Sequence, residues 1–579
     1  MKNIFKRLTL LVIPFMTVGC AVTPSSSVAP STSGKPAESS SNTSSSKSSS
    51  KSSSGKTSSS SSKSSSTISS SQIEQYVPKL PQIKFKFNKN DPNANFATVA
   101  TKSDLVRPEV SGTFTIENCP DKYKFAQAVE GTMKVRGNQT ANWSKKGFRI
   151  KFGGKTNVLG LNGGKKFKKW VLLADAKDTT LCRTALGLYM SKGVVSDGDK
   201  VWVSDFTPVT VYLNDEYWGL YYLAEQKETK TGRIDLAEPA EGYTGVDIGY
   251  CFELDHYADS AGSRDEASEF AKGADGDPTF RVRYSPKIEQ GHPSGSLATG
   301  QVYTYTMNSD ITDCTEPDKH CQADYSSVAS NGAPNNGATK TSNSNQLSFI
   351  RDRVEASYQV LYNAAISKKA TEINDSNEVV NSSKTVQQVM EQHFNLNAWV
   401  DGYIINAVCI PPDLGYSSFY MSYDNTPNGD KKLRFDNPWD FDSNFGNRNG
   451  LYINGDGDEY CNNTYNTWLY LFSKLDFFKT MVKAKWNQLR NAELFEDMFH
   501  MVKTFWAEYD GEIQYNHKKW PRNDAAHQPP NNFDEIRNPF KNPSQYKEAE
   551  EETVSWLSKR VNYLEKQWGQ NRPNINTGA

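Results

Sequence analysis

Histidine is scarce, net charge is absent and no apolar run is long enough to span a bilayer. Seven histidines lie scattered through 579 residues, and no Cys/His spacing matches a zinc site. The apolar run Leu8–Val18 falls well short of the roughly 20 residues a membrane helix needs. With 36% hydrophobic residues, the multi-span membrane and fibrous classes are excluded. The zero charge is a cancellation of 66 basic against 66 acidic residues. Residues 1–72 hold eight Lys/Arg against Glu38 alone, leaving 58 bases and 65 acids for the remainder. An acidic body argues against a nucleic-acid partner, which calls for a basic patch.

What is present at the amino terminus reads as export machinery. Lys2, Lys6 and Arg7 precede the apolar run, as in a signal peptide. The run ends at Thr17-Val18-Gly19-Cys20, which resembles a bacterial lipobox with Thr17 where leucine is usual. Residues 1–20 are therefore expected to be a lipoprotein signal, with Cys20 lipidated; an ordinary cleaved signal is the alternative. Residues 21–75 are Ser/Lys-rich without apolar periodicity, so they cannot bury a core. Such a tether reaches roughly 40 Å. The expected product is exported, held to the membrane by lipid alone and facing outward, with a folded domain over 76–570.

That domain divides by periodicity. Strand-like alternation dominates from Leu80 to about Tyr284, as in Ile83–Phe87, Thr113–Ile116, Gly147–Phe152, Val209–Leu213 and Gly219–Leu223. Asn214–Tyr217 reads as a hairpin turn. One helix is expected from Asp178 to Ser191. Residues 256–346 are rich in Gly, Ser, Asn and Asp and read as a variable insertion. Beyond them the period becomes 3.6, with Phe349–Leu361, Trp399–Val408, Val482–Leu489 and Val554–Leu564 as helices. Strands followed by helices give an α+β class, arranged as two lobes about a cleft. With Cys20 lipidated, seven cysteines remain, of which Cys314 and Cys321 are the expected disulfide.

Three clusters carry chemistry. Arg136, Lys145, Arg149 and Lys151 lie in one basic stretch, and Arg149 and Lys151 share a strand face. Such groups suit phosphate oxygens, or else form a solvated basic face. Asp436–Gly446 packs Asp436, Asp440 and Asp442 with Asn437 and Asn444 into a Pro/Gly-bounded loop. These are hard oxygen ligands for Mg²⁺ or Ca²⁺, or else a polar turn. Asp413, in a turn after an apolar helix, is placed to accept a proton from a hydroxyl, or is a turn aspartate. Glu225, closing a strand, is a partner for one of the bases or a structural salt bridge.

The order of these blocks resembles the CotH kinase family, the spore-coat-protein-H-like atypical kinases. The carriers are Arg136-Gly137-Asn138 with Lys145-Lys146-Gly147-Phe148-Arg149-Ile150-Lys151, Trp170–Ala174 leading to Leu181-Cys182-Arg183, and Val211–Tyr221 to Glu225-Gln226. Gly249–Asp255, Asp413–Met421 and Trp439–Gly446 follow. The resemblance implies an atypical protein-kinase-like two-lobed fold binding ATP and Mg²⁺, with serine or threonine of surface proteins as acceptor. It implies Arg136, Asn138, Lys145, Lys146, Lys151 and Arg183 on the nucleotide side and Glu225 as the orienting acid. Asp440 and Asp442 would hold Mg²⁺, with Ser418 where ordinary kinases place an asparagine, and Asp413 would orient the hydroxyl. The alternative is an inactive relative that binds a surface protein or glycan.

Overall fold

The computed structural model describes residues 78–575, apart from 101–106, 138, 256–277, 283–302, 314–321, 326–339, 343, 415–416, 448–454, 457–466 and 522–545. The signal, Cys20, the tether, Asn138 and the Cys314/Cys321 pair lie outside the described residues. Among those described, no helix is long and apolar enough to cross a membrane.

The strand-rich half closes into a seven-stranded barrel. Its strands are β1 (Gln82–Phe87), β2 (Val110–Glu117), β3 (Val129–Arg136), β4 (Gly147–Thr156), β5 (Phe167–Leu173), β6 (Phe206–Leu213) and β7 (Glu216–Glu225). All neighbours pair antiparallel except β1 with β6, whose parallel register closes the ring. Period-2 alternation fills the interior, with Phe85, Phe114, Phe148, Phe152, Trp170 and Tyr221 among the buried rings. Space is tight: a Cβ on Gly112 would stand 2.3 Å from the Lys86 carbonyl. The expected hairpin joins β6 to β7 through Asn214 and Asp215, both with positive φ, as a two-residue turn requires.

A short α1 (Phe96–Ala100) lies between β1 and β2, and α2 (Arg183–Val194) lies between β5 and β6. The sequence reading starts α2 five residues early. Asp178 accepts the N–H groups of Thr180, Cys182 and Arg183, and this turn holds the chain out of the helix until Cys182.

The stretch 256–346, read as a variable insertion, carries strands of a second sheet. Strand β8 (Gly249–Leu254) precedes that stretch, and β9 (Thr279–Val282), β10 (Tyr303–Met307), β11 (Gln322–Tyr325) and β12 (Lys340–Ser342) run through it. They pair in the order β12-β11-β9-β10-β8. Phe280, Val282, Tyr305 and Met307 supply its apolar face, and Phe280 stacks on Tyr305 at 5.0 Å. Each apolar run is only four or five residues long, so the polar composition around it conceals the alternation.

The remainder is mostly helical: α3 (Asn345–Tyr362), α4 (Val386–His393), α5 (Leu396–Cys409), α6 (Thr467–Phe472), α7 (Asp476–Asn491), α8 (Leu494–Glu508), α9 (Asp510–Lys519) and α10 (Tyr546–Trp568). A small hairpin, β13 (Thr371–Ile373) and β14 (Val379–Asn381), interrupts it, while β15 (Phe419–Asp424) and β16 (Arg434–Asp436) extend the second sheet beside β8. The fold is thus mixed α+β, strand-rich first and helical later. Two glycines let elements approach closely. Gly402 brings α5 against the Phe435 ring, and Gly187 brings α2 against Phe441, where a Cβ would stand 2.1 Å from the ring. The second contact fixes the loop after β16 against α2.

Candidate active site

The β3–β4 loop begins at Gly137, whose φ is +94° and where an added Cβ would stand 2.3 Å from Thr140 Oγ1, so the position favours glycine. Below this loop a cleft is lined by Arg136, Thr140 and Gly147, by Leu173–Ala176 after β5, and by Thr184 and Leu188 of α2. Trp439–Asp442, after β16, form its opposite wall. Asn447 secures that wall, donating to the carbonyls of Asp442 at 2.7 Å and Lys177 at 3.2 Å.

The candidate metal residues come together here. Asp440 is exposed and sits at φ +63°, and Ser418, at φ +59°, places its Oγ 3.5 Å from Asp440 Oδ2. Two non-glycine residues held in the left-handed region at one spot mark a geometry imposed by its surroundings. The Ser418 N–H donates to Glu253 Oε1 at 2.6 Å, which ties its loop to β8. Asp442 is buried and lies 3.6 Å from the Lys177 ammonium. Asp413 is half-buried in the turn before Ser418, its carbonyl accepting from Ser417 N at 2.9 Å. It does not line the cleft.

Of the basic candidates, only Arg136 lines this cleft. Lys145 is buried and donates to the carbonyls of Ala174 and Leu220, both at 2.6 Å. Lys146 closes its own loop, donating to Ala141 O at 2.8 Å and Trp143 O at 3.1 Å. Lys151 and Arg149 are co-facial, but on the outer barrel face, where Lys151 is exposed and Arg149 pairs with Glu109 at 3.2 Å. Arg183 is buried in an ion pair with Asp178 and donates to Thr553 Oγ1 at 2.7 Å. Glu225 meets Arg233 at 3.2 Å and Asn162 Nδ2 at 2.6 Å, so its cationic partner is that arginine rather than a lysine of the basic stretch.

The family model described as "CotH kinase protein" matches residues 133–279 and 320–564, well over half of the chain. The chain belongs to the CotH kinase family. No curated protein matches it. The matched region begins within β3, so the CotH match takes in the loop over the cleft, α2 and both cleft walls, and leaves β1 and β2 outside.

Membership of the CotH kinase family suggests an atypical kinase using ATP and a divalent metal, and the electrostatics of the cleft can be set against that. Burial pushes the Asp442 carboxyl up to about 6; the Lys177 ammonium opposes this shift and Asp440 adds to it. Burial likewise pushes Asp175 up to about 8, with Asp178 and Asp442 adding to it. Carboxylates buried close to one another are an environment that a bound cation relieves. Among the described residues no three carboxylate, His or Cys groups form a ready-made metal set. Mg²⁺ needs none, since it is held by one or two carboxylates together with substrate phosphates and water. Asp440, Asp442 and the Ser418 hydroxyl therefore fit a phosphate-dependent cation.

Sequence reasoning missed Lys227. It follows β7, is largely buried, and donates to the Tyr420 hydroxyl, lying 3.6 Å above that ring. Glu253 Oε2 accepts from the same hydroxyl and is 4.0 Å from the ammonium. Burial holds the Lys227 ammonium below the usual lysine range, against the pull of Glu253. Lys227 and Arg136 both approach the Trp439 ring, at 5.5 and 5.6 Å, next to Asp440. The only sequence cue is adjacency to Glu225-Gln226, and nothing local reveals its burial.

Proposed function

We propose that the chain is a phosphotransferase that binds ATP with Mg²⁺ in the cleft and transfers the γ-phosphoryl group to an acceptor hydroxyl. The observation that carries this reading is the juxtaposition of Ser418 and Asp440, with Asp442 in the same wall, opposite Arg136. Phosphoryl transfer asks mainly for positioning and charge neutralisation. Asp440, Asp442 and Ser418 would hold Mg²⁺, which supplies neutralisation of the polyphosphate. Arg136 and Lys227 offer a guanidinium and an ammonium to phosphate oxygens. Glu253 and Tyr420 orient Lys227, the part played elsewhere by a glutamate paired with a kinase lysine. The expected signal, Cys20 and the 21–75 tether support attachment to the outer face of a membrane, where acceptors on surface neighbours are within reach.

Incubation of the purified full chain with γ-labelled ATP and Mg²⁺ tests the reading. Label incorporation that chelator removes and that Asp440→Asn abolishes supports it. Equal incorporation by wild type and variant contradicts it.

A further inference from the structure

Between Glu130 and Asp175 the chain carries eleven Lys/Arg and no acid, although the body as a whole is acidic. Strands β3, β4 and β5 make up much of this stretch, and their alternation sends Met133, Val135, Phe148 and Ile150 into the barrel. The positions between them face outward. Register sets Lys134 directly opposite Arg149, and Lys151 directly opposite Lys169. Arg136 heads the same face, two residues beyond Lys134, and lines the cleft. Val171, opposite Arg149, packs with Trp439 of the cleft wall. The basic face is therefore continuous with the candidate active site.

Like charges directly opposite one another on paired strands are destabilising. Two such pairs in successive outward rows form a surface that a bound anion relieves. Lys155, Lys166 and Lys168, all exposed, carry the positive charge on over the β4–β5 hairpin.

The face is also narrow. Glu109, before β2, pairs with Arg149 at 3.2 Å on one rim, and Glu228, after β7, with Lys169 at 3.2 Å on the other. Acidic rims repel a broad anionic surface such as a membrane and leave room for a single line of negative charge. Outward rows on a strand repeat at about 6.6 Å, the spacing of same-face side chains in an extended peptide. The three rows from Arg136 to Lys151 thus cover about 13 Å, the length of four or five extended residues.

We propose that this face is the docking track for the acceptor, a polypeptide that lies extended over β3–β5 with Asp or Glu at alternate positions and delivers its serine or threonine to the cleft. This rests on the phosphotransferase reading above and adds the substrate class to it.

The full chain is titrated with a labelled peptide of alternating alanine and glutamate that has no hydroxyl, and with its glutamine counterpart, by fluorescence anisotropy. Versions ending in serine are then incubated with ATP and Mg²⁺, and ATP–Mg²⁺ binding is measured separately. The acidic peptide should bind saturably, and its serine version should be the better phosphorylated. Lys151→Glu with Lys169→Glu is expected to weaken that binding about tenfold or more and to leave ATP–Mg²⁺ binding unchanged. Lys151→Gln with Lys155→Gln is a milder variant at exposed positions, with an expected loss of about two- to fivefold, and thermal melting verifies that both are folded. The lysines of residues 21–75 are present in every chain compared, so the differences report the barrel face. The proposal is overturned if the glutamine peptide binds as tightly as the acidic one, or if both variants bind the acidic peptide as wild type does. Binding to vesicles of phosphatidylglycerol in phosphatidylcholine, with none to the peptide, also overturns it. So does an acidic serine peptide that binds and is phosphorylated no better than the glutamine version. Failure of ATP–Mg²⁺ binding with peptide binding intact instead removes the phosphotransferase reading, and the acceptor role with it.

Discussion

The Ser418 hydroxyl stands 3.5 Å from the Asp440 carboxylate, and both residues hold left-handed backbone. Twenty-one residues and two strands, β15 and β16, separate them, and the antiparallel pairing of those strands returns the chain to the same point. A strained pair at a cleft is the expected mark of a site selected for its geometry rather than its stability.

Asp440→Asn should therefore leave folding almost unchanged and remove Mg²⁺-dependent nucleotide binding. The amide keeps a residue type tolerant of positive φ and deletes the charge. Melting temperature and ATP affinity, measured on the same sample, check the two halves.

Lys227→Met is expected to weaken ATP binding by about tenfold or more, the loss of one charge-assisted contact. It retains the length and apolar stem, so the packing against Tyr420 and Trp439 survives. An unchanged affinity would assign Lys227 a structural role with Glu253 and Tyr420.

Asp178→Ala should cost several kcal/mol, roughly 3–5, because it strands the buried Arg183 and frees the N–H groups at the start of α2. Burial works against the charge of Asp178, yet the Arg183 guanidinium and the backbone N–H groups hold its carboxyl below the usual range. Chemical denaturation gives the measure.

Stability should fall as pH rises from about 6.5 to 8. Burial raises Asp175 and Asp401 each to about 8 in the fold, against 3.8 for the free side chain. The native state then holds protons that the unfolded chain has already lost, so stability is greatest at low pH within this window and is lost on approach to the folded values. Each group contributes up to about 2 kcal/mol over the interval. Buried His393, lowered to about 4, acts in the opposite direction but below the window. Melting at intervals of pH checks this, and Asp401→Asn should flatten the slope.

Much of the fold was legible because alternation and helical period are local properties. The Asn214–Asp215 turn, five of the seven barrel strands (β1, β2, β4, β6 and β7) and four of the later helices follow from them. Legibility ended where chemistry depends on closure. Co-facial Arg149 and Lys151 were read correctly as a pair, yet only the closed barrel determines that their face points outward. Lys145 and Arg183 look like free cations in a string of letters, and the fold spends one on two carbonyls and the other on Asp178. Lys227 shows the reverse, an ordinary lysine in sequence that becomes special through Tyr420 and Glu253, which lie 193 and 26 residues away. Ser418 and Asp440 flank the β15–β16 pair, so the sequence names both residues while only the pairing of those strands puts them side by side.

The most direct measurement is calorimetric titration of ATP into the full chain, with and without Mg²⁺, repeated on Asp440→Asn. Saturable heat that requires Mg²⁺ and disappears in the variant is the expected result. Heat that is absent with Mg²⁺, or identical in wild type and variant, contradicts a nucleotide–metal site built on Asp440.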